Sequence, residues 1–384
     1  MAIDNKDKKI LNVPPLRFPE FTEEWKAEQL DNIATLSKGI GISKEQLSED
    51  GEPCILYGEL YTKYKSEIIK QVESKTDING SKLKRSKAND VIIPCSGETA
   101  VDIATARCVP FDNILFGGDL NVISLHQYDG AFMSYQLNGK RKYDIARVAQ
   151  GVSIVHLYGE HLKAIKTYNP TLPEQQKIAK LLSLLDDRID TQNKIIEKLQ
   201  SLIKGIAQHC IKESTSGNTY VKLGDICQIT TGKLDANAQV DNGIYPFFTC
   251  AEQPFKIDSF AFDTEALLIS GNGANLGYIN YYKGKFNAYQ RTYVLDIFSE
   301  NIQYIKWALK VLLPKRIAIE KSSSNTPYIV LSTLTDLRLP IPCKSKQSFI
   351  ANLMQSLERK LSNQIAQYDS YNYLKQYLLR QMFI

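Results

Sequence analysis

Residues that usually carry metal or disulfide chemistry are scarce in this sequence. Its 384 residues include four His and seven Cys, and the cysteines are scattered, odd in number and never arranged as C-x-x-C. There is no H-E-x-x-H motif and no other Cys/His cluster. These absences argue against a zinc site or a disulfide framework and are typical of reduced core cysteines in a cytoplasmic protein. We therefore expect no metal-binding residues in this chain.

Long apolar runs and a strong charge bias are also missing. No stretch reaches the roughly 18 apolar residues of a membrane-spanning helix, and residues 1–9 are too polar for an export signal. Lys and Arg total 47 against 42 Asp and Glu, a net charge of +5 that neither demands nor excludes nucleic acid. We expect a soluble, cytoplasmic chain without a membrane partner. Its length predicts two or three domains at roughly 150 residues each.

Motifs that bind nucleotides or support catalysis are absent or incomplete. The phosphate-binding pattern G-x-x-x-x-G-K-[ST] does not occur. Gly271, Gly273 and Gly277 miss the dinucleotide pattern G-x-G-x-x-G by one position, and Asn169-Pro170-Thr171 only begins like the N-P-P-[FY] motif of adenine methyltransferases. No pair of carboxylates has a spacing that singles it out for acid–base catalysis. The sequence therefore predicts no catalytic residue and no cofactor bound by this chain.

What the sequence does contain is an internal repeat. Two long segments, one opening at Pro173 and one near Ser345, carry apolar residues at helical spacings, which is the stripe of an amphipathic helix. They align at an offset of 172 residues, which places Ile178 opposite Ile350. A short apolar, strand-like stretch ending in a proline-containing connector precedes each helix.

The regions before the two helices also correspond. WKAEQLDNIATLSKG from Trp25 matches YVKLGDICQITTGK from Tyr220, and NDVIIPCSGET corresponds to TEALLISGNGA, each a buried strand followed by a Ser-Gly turn. The sequence predicts an α+β fold, in which two mixed domains are separated by two long antiparallel helices in a pseudo-two-fold repeat. The expected boundaries are an N-terminal extension over 1–24, mixed domains over 25–171 and 214–344, and long helices over 172–213 and 345–384.

Two motifs and the duplicated order carry a resemblance to a known family. The opening PPLRFPEFTEEW, from Pro14 to Trp25, and the helix start LPEQQKIAKLL, from Leu172, resemble the specificity subunit of type I restriction-modification systems. The likeness extends over essentially the whole chain. It implies that each mixed domain is a target-recognition domain for double-stranded DNA. It also implies that the helices fix the gap between two half-sites of an asymmetric target and dock two methyltransferase subunits.

The same resemblance implies further partners and cofactors. Restriction/translocase subunits would join the complex, and S-adenosylmethionine, ATP and Mg²⁺ would bind the partner subunits, where adenine methylation and restriction occur. In the second repeat the connector PIPCKSKQSFIANL keeps Gln347, Ile350 and Ala351 but lacks the acidic residue of the first repeat. We expect this departure to affect only local helix capping.

In the first mixed domain, the candidate DNA contacts are basic. The stretch from Tyr61 to Asp90 is rich in lysine, and its densest part, SKLKRSKAN, is predicted to be an exposed loop beside Gly80 that contacts phosphates. A charge run of this kind is, however, usually a solvated surface. The candidates are Lys82, Lys84, Arg85 and Lys87, with Ser96 in the Ser-Gly turn.

In the second mixed domain, the candidates are polar turn residues. Asn pairs with adenine, Arg with guanine or phosphate, Gln with adenine, and Thr with a thymine methyl group or a phosphate. Turns favour Asn and Gly for conformational reasons alone, so a solvent-exposed turn is the alternative interpretation. The candidates are Lys233, Asn272, Asn275, Gln290, Arg291 and Thr292. Ser322 to Asn325, beside Lys321, form a weaker candidate for phosphate contact.

Tyrosines and two rival functions complete the sequence-based hypotheses. Tyr57, Tyr61, Tyr64, Tyr281 and Tyr282 either stack on bases or, more simply, are half-buried strand residues. The preferred function is a non-catalytic, sequence-specific DNA-binding subunit. One rival is a coiled-coil scaffold whose flanking domains bind protein or sugar, and its DNA affinity would not depend on salt. The other is a stand-alone nucleic-acid enzyme, which would show activity without partners.

Overall fold

The computed structural model describes residues 11–214, 219–321 and 328–384, with only the backbone of Lys321. The chain folds into two compact units. The first unit comprises Met1–Asn193 and Gln367–Ile384, and the second comprises Lys194–Ala366. Each long helix therefore contributes residues to both units.

The first unit contains short strands and short helices. Its strands are β1 (Lys26–Gln29), β2 (Ala34–Lys38), β3 (Glu52–Ile55), β4 (Lys75–Thr76), β5 (Lys84–Arg85), β6 (Asp90–Pro94), β7 (Ser96–Gly97), β8 (Arg107–Val109), β9 (Leu115–Phe116), β10 (Leu120–Leu125), β11 (Val155–His156) and β12 (Lys166–Asn169). Its helices are α1 (Leu30–Ile33), α2 (Glu59–Thr62), α3 (Ala100–Ile103), α4 (Gly130–Asn138), α5 (Lys142–Val148), α6 (Gly159–Lys163) and the start of α7 (Leu172–Glu213).

The second unit has longer strands. These are β13 (Thr219–Lys222), β14 (Gln228–Thr231), β15 (Tyr245–Phe248), β16 (Phe255–Ile257), β17 (Phe262–Ser270), β18 (Ile279–Ala288), β19 (Thr292–Asp296) and β20 (Arg338–Ile341). Its helices are α8 (Ile302–Lys321), α9 (Leu331–Thr335) and most of α10 (Lys344–Gln381), together with the end of α7.

The two units share one sheet topology. The order β2-β10-β6-β8 in the first unit corresponds to β14-β19-β17-β18 in the second. Each unit also has one parallel pair, β3 with β9 in the first unit and β15 with β18 in the second. On its other edge, β3 pairs antiparallel with β4, and β15 pairs antiparallel with β16. The pairs β1-β12 and β13-β20 also correspond. The predicted α+β fold and internal repeat are confirmed, including in regions where the two sequences match poorly.

Corresponding glutamines anchor the starts of the two long helices. Gln175 Nε2 donates to the carbonyl of Pro170 at 2.8 Å, and its Oε1 accepts from the N–H of Asp129 at 2.9 Å. Gln347 repeats both bonds, to Pro342 at 2.8 Å and from Asn301 at 3.0 Å. Both glutamines are about 1% exposed. The repeated Gln therefore ties each connector and each long helix to the adjoining domain.

The residue before the first of these glutamines does more than was expected. Glu174 is fully buried, and its carboxylate accepts two bonds from Arg17, at 2.6 and 2.7 Å, and one from the Trp25 indole N–H at 3.3 Å. The expectation of a purely local capping role is therefore wrong. Glu174 holds the N-terminal extension onto α7, and the second repeat has Lys346 at this position, which instead donates to the carbonyl of Glu213.

The long helices run antiparallel within each unit. In the first unit, the start of α7 shares a core with the end of α10, through Ile178 and Leu182 with Leu378 and Leu379. In the second unit, the end of α7 shares a core with the start of α10, including Ile203 and Met354. This pairing buries much of the apolar stripes that the sequence indicated, although Leu181, Ile365 and Leu374 are exposed.

Three smaller expectations need correction. The stretches before the long helices are only partly strands, because α6 and α9 form within them. Ser96 and Gly97 form the short strand β7 and not a turn. All seven cysteines are free, but only Cys54, Cys95 and Cys108 are buried, and Cys343 is exposed. Within the described ranges, no helix is both long and apolar enough to cross a membrane.

Candidate nucleic-acid interface

Four segments distant in sequence meet at one end of the main sheet of the second unit. The N–H of Gln290 donates to the carbonyl of Leu234 at 2.9 Å, which brings the Lys233 segment to the turn before β19. The N–H of Gly271 donates to the carbonyl of Arg291 at 2.8 Å, which adds the turn after β17. Five of the six residues predicted for this domain are therefore brought together with exposed or partly exposed side chains.

Cys250 connects this group and was missed by the sequence reasoning. Its thiol donates to Asn272 Oδ1 at 3.0 Å, and its carbonyl accepts from Asn275 Nδ2 at 3.0 Å. These bonds fix both amides, leaving Asn272 Nδ2 as a donor and Asn275 Oδ1 as an acceptor. The only signal in the sequence was the position of Cys250 just after the β15 strand, which gives no hint of a contact with residues more than twenty positions away.

Close backbone approach explains two glycines of this group. A Cβ at Gly232 would lie 1.9 Å from the carbonyl oxygen of Ala288, and a Cβ at Gly271 would lie 2.4 Å from that of Arg291. Both distances are far shorter than any real Cβ contact, so a side chain at either position would push the segments apart. The glycines thus allow the four segments to converge.

Thr292 is the predicted contact that the structure does not support. It is 1% exposed and is the first residue of β19, paired with Ser270. Its side chain therefore has no surface to offer a base or a phosphate, and the prediction for this residue is wrong. The error has a simple physical origin, because the alternation of a strand turns Thr292 into the core directly after exposed Arg291.

In the first unit, Ser96 lines a cavity of about 860 Å³. Strand β7 pairs Ser96 with His156 of β11, and the Tyr61 hydroxyl donates to the carbonyl of Ser96 at 3.1 Å. The cavity is lined by Tyr57, Tyr61, Ser96, Glu98, Asp102, Asp119 and His156, among other residues. Apart from Ser96 and the two tyrosines, the sequence reasoning did not single out this group.

The basic run of the first unit is not the exposed loop that was expected. Lys84 and Arg85 form β5, which pairs with β9 in a second sheet. Arg85 donates to both oxygens of Glu52, at 2.6 and 3.0 Å, and this hydrogen bonding raises the pKa of Arg85. Lys82 and Lys87 are exposed and Lys84 is partly exposed. The arginine is thus held by a protein carboxylate, while the three lysines remain candidates for phosphate contact.

Replacing Lys82, Lys84 and Lys87 together with alanine should weaken DNA binding equally for all sequences. Each lysine that contacts a phosphate contributes about 0.9 to the slope of log K against log salt, so the slope should fall by up to about 3. Binding titrations at several salt concentrations measure this. Glu52→Gln, which frees Arg85 without removing a lysine, is the matched control and should not lower the slope. An unchanged slope in the triple variant would remove this strand from the interface.

Some of the five candidate tyrosines are packed in the core, and others are exposed enough to stack on bases. Tyr64 is 7% exposed and belongs to a core cluster, and Tyr282 packs against Phe248 and Phe286. Tyr57 and Tyr61 are 39% and 37% exposed and line the cavity. Tyr281 donates to Glu265. Tyr57, Tyr61 and Tyr281 therefore keep the exposure that base stacking requires, whereas Tyr64 and Tyr282 are packed in the core. Ser322 to Asn325 lie outside the described residues, as does the side chain of Lys321.

Comparison with known proteins identifies the family. The family model described as "Type I restriction modification DNA specificity domain" matches residues 22–201 and 215–368, one match for each half of the repeat. These two matches span most of the 384 residues. The chain belongs to the type I restriction-modification specificity family. The resemblance inferred from PPLRFPEFTEEW and LPEQQKIAKLL is thereby confirmed, and the coiled-coil scaffold is not favoured.

Individual specificity proteins resemble the chain to different extents. The EcoDI specificity subunit of Escherichia coli is 44% identical over 137 residues, which is 36% of this chain and 30% of that protein. The MjaVIII specificity subunit of Methanocaldococcus jannaschii is 23% identical over 411 residues, covering 92% of this chain and 90% of that protein. The MjaIX subunit of the same organism matches over 59% of its length. The chain thus spans less than two thirds of the EcoDI and MjaIX subunits.

Solved structures from type I restriction-modification systems share the fold. The crystal structure of a type I restriction-modification S subunit from M. genitalium superimposes with a TM-score of 0.69 at 19% identity, covering 97% of this chain and 99% of that one. A chain from a study of complex assembly of the type I system superimposes with a TM-score of 0.58 at 16% identity. The duplicated α+β architecture is therefore that of the specificity family. In the part of the chain that the structure describes, no group of three or more His, Cys, Asp or Glu is placed to hold a metal ion.

Proposed function

We propose that this specificity protein recognises a bipartite, asymmetric DNA target, with one half-site read by each unit. The observation that carries the proposal is the repeated sheet topology with different side chains at the equivalent strand ends. A common frame gives each unit the same way of approaching DNA. Different side chains on that frame give each unit its own base preference, since base edges are read by a few polar groups while phosphate contacts only position the protein.

The chemistry of the complex is assigned to partner subunits. Two methyltransferase subunits would bring S-adenosylmethionine and modify adenine, and restriction/translocase subunits would use ATP and Mg²⁺. The chain itself would supply no catalytic residue and bind none of these cofactors. This proposal rests on family membership.

Mapping of modified adenines tests the proposal directly. The full chain is co-expressed with the methyltransferase subunit of a related system, and the genome is read by long-read sequencing. We expect a split motif with a fixed gap that appears only when the chain is present. Cells expressing the methyltransferase alone are the control. A stable complex that yields only contiguous motifs, or methylation unchanged from the control, would contradict the proposal.

A binding titration separates the remaining rivals. Specific DNA affinity of the purified complex should fall steeply with salt, because phosphate contacts release counterions. Affinity that stays flat with salt would favour the scaffold. DNA methylation or cleavage by the purified chain without partners would instead favour the stand-alone enzyme.

A further inference from the structure

The two candidate surfaces can be superimposed residue by residue through their backbone hydrogen bonds. In the first unit, the N–H of Cys95 donates to the carbonyl of Asp119 at 2.7 Å. In the second, the N–H of Gly271 donates to the carbonyl of Arg291 at 2.8 Å. Each bond closes the end of the central strand, β6 or β17, onto the residue just before its neighbour, β10 or β19. Asp119 and Arg291 therefore hold the same place in the two sheets.

Two further bonds confirm this register. The N–H of Gly39 donates to Leu120, and that of Gly232 donates to Thr292, the residues that follow Asp119 and Arg291. Gly117 and Tyr289 lie two positions before Asp119 and Arg291. The N–H of Gly117 donates to the carbonyl of Ile55, and the N–H of Tyr289 donates to the carbonyl of Phe248. The ladder also agrees, since Leu120 faces Pro94 and Thr292 faces Ser270. The equivalence thus follows from pairing alone and needs no sequence similarity.

We propose that Asp119 and Arg291 are equivalent base-reading residues that give the two half-sites opposite chemistry. On this proposal, which rests on the proposed function, Arg291 donates to the acceptors of a guanine in one half-site. Asp119 accepts from the exocyclic amino group of a cytosine or an adenine in the other half-site.

Both side chains are available for this role. Asp119 and Arg291 are exposed, and neither has a side-chain hydrogen bond or an ion pair among the described residues. Two charges of opposite sign, left unpaired at the same place of the two sheets, are therefore available to an external partner.

Backbone strain is a further feature of Asp119. Its φ is 59°, in the left-handed region that residues other than glycine seldom adopt. Glycine would fit this position at lower cost, and Gly118 directly precedes it. Asp adopts this region more readily than most residues do, so the backbone allows a carboxylate here without requiring one.

The chemistry of the two groups determines what each can read. An arginine reads guanine through two parallel bonds to N7 and O6 in the major groove. A carboxylate only accepts hydrogen bonds and is repelled by phosphate, so on DNA it can profit only from a base amino group, chiefly cytosine N4. Charges of both signs lie near Asp119, since Glu98 lines the same cavity and Lys38 lies on the neighbouring strand β2, whereas Lys233 precedes the residue that binds the N–H of Gln290.

The test uses the complex that yields a split motif with the wild-type chain. Arg291→Ala and Asp119→Gly are introduced separately, and glycine is chosen because it suits a φ of 59°. Each variant should lose discrimination at one base pair, by about tenfold to a hundredfold, and the two positions should lie in different half-sites. Asp119→Asn distinguishes the two amines. Asn pairs with adenine. The Asp119→Asn variant should therefore change the base preference if the wild type reads cytosine, and keep that preference if the wild type reads adenine.

Controls and contrary outcomes are defined by position. Asp50→Asn and Arg338→Gln make the same charge changes at exposed sites elsewhere and should leave both half-sites unchanged. A uniform loss of affinity with Arg291→Ala, with a smaller salt slope, would make it a phosphate contact and overturn the inference. The inference would also be overturned if Asp119→Gly raised affinity for all sequences equally, if base preference changed in neither half-site, or if both variants changed the same half-site. A wild-type complex without any split motif would instead refute the proposed function.

Discussion

Replacing Trp25 with alanine is expected to lower the free energy of unfolding of the first unit by about 3–5 kcal/mol. Trp25 is 1% exposed and lies among the rings of Phe132 and Phe383, with centroid distances of 5.7 and 6.4 Å. The residue joins three parts of the unit, because Phe132 belongs to α4 and Phe383 follows α10. Truncation would leave a cavity between these parts that rigid secondary structure cannot close.

A second cost is electrostatic. The Trp25 indole N–H donates to Glu174, whose carboxylate is fully buried and otherwise bound by Arg17. Loss of the indole removes one of the donors that offset the desolvation of this carboxylate. Trp25→Phe keeps most of the ring volume but not the N–H, so it should cost clearly less than alanine, about 1–2 kcal/mol.

Chemical unfolding followed by far-ultraviolet circular dichroism measures both variants. Hydrogen exchange assigns the loss to the first unit, where amides of α4 and of the start of α7 should lose protection. Tyr220→Ala, an exposed aromatic of the second unit, is the comparison and should have little effect. A loss below about 1 kcal/mol for Trp25→Ala would show that the contacts of Trp25 with Phe132 and Phe383 do not stabilise this core.

The repeat and its helices were predictable because their signals are local. Helical spacing of apolar residues located α7 and α10, and the repeated Gln175 and Gln347 were visible at their offset of 172. Buried strands such as β6 and β17 were likewise legible as apolar runs. Each of these features depends on residues within one or two turns or strands of each other.

The site was less predictable because it is built by pairing between distant segments. Arg85 looked like a DNA contact until β5 and β3 placed it beside Glu52. Cys250 and Asp119 carried no motif, and their importance emerges only from the sheet register that sets them beside Asn272 and Cys95. Thr292 was predicted to be exposed but is buried, because successive side chains of a strand point to opposite faces and the sequence did not show which of Arg291 and Thr292 faces solvent. Register of this kind is not encoded in any single segment.

A second large loss of stability is expected from changing an acidic residue that occurs at equivalent positions of the two long helices. Asp186 and Glu358 are again 172 residues apart, and each binds lysine. The Asp186 side chain is 5% exposed and binds Lys375 at 2.7 Å, the Tyr135 hydroxyl at 2.6 Å and Ser66 at 3.1 Å. The Glu358 side chain is 32% exposed and binds Lys306 and Lys310 at 2.7 and 3.3 Å. The same position is therefore buried in one repeat and partly hydrated in the other.

Asp186→Ala should lower the free energy of unfolding by about 3–5 kcal/mol, because Lys375 keeps only Glu67 as a counter-charge and the buried Tyr135 hydroxyl loses its acceptor. Burial alone would lower the pKa of Lys375, but the charges and hydrogen bonds of Glu67 and Asp186 outweigh it and raise that pKa. Glu358→Ala should cost only about 1–2 kcal/mol, because the Glu358 carboxylate is 32% exposed and water can take its place beside the buried Lys306. Chemical unfolding of the two variants, side by side, measures the difference.

The pH dependence follows from the sign of the Lys375 shift. A lysine whose pKa is raised on folding contributes stability that is fully present below its ordinary pKa of 10.5 and is lost as pH rises through the raised value. The difference in free energy of unfolding between wild type and Asp186→Ala should therefore stay constant from about pH 6 to 9 and become smaller only at higher pH. Equal losses for Asp186→Ala and Glu358→Ala would show that burial does not set the strength of these pairs. A gap that closed already near pH 8 would show that Lys375 is not the group responsible.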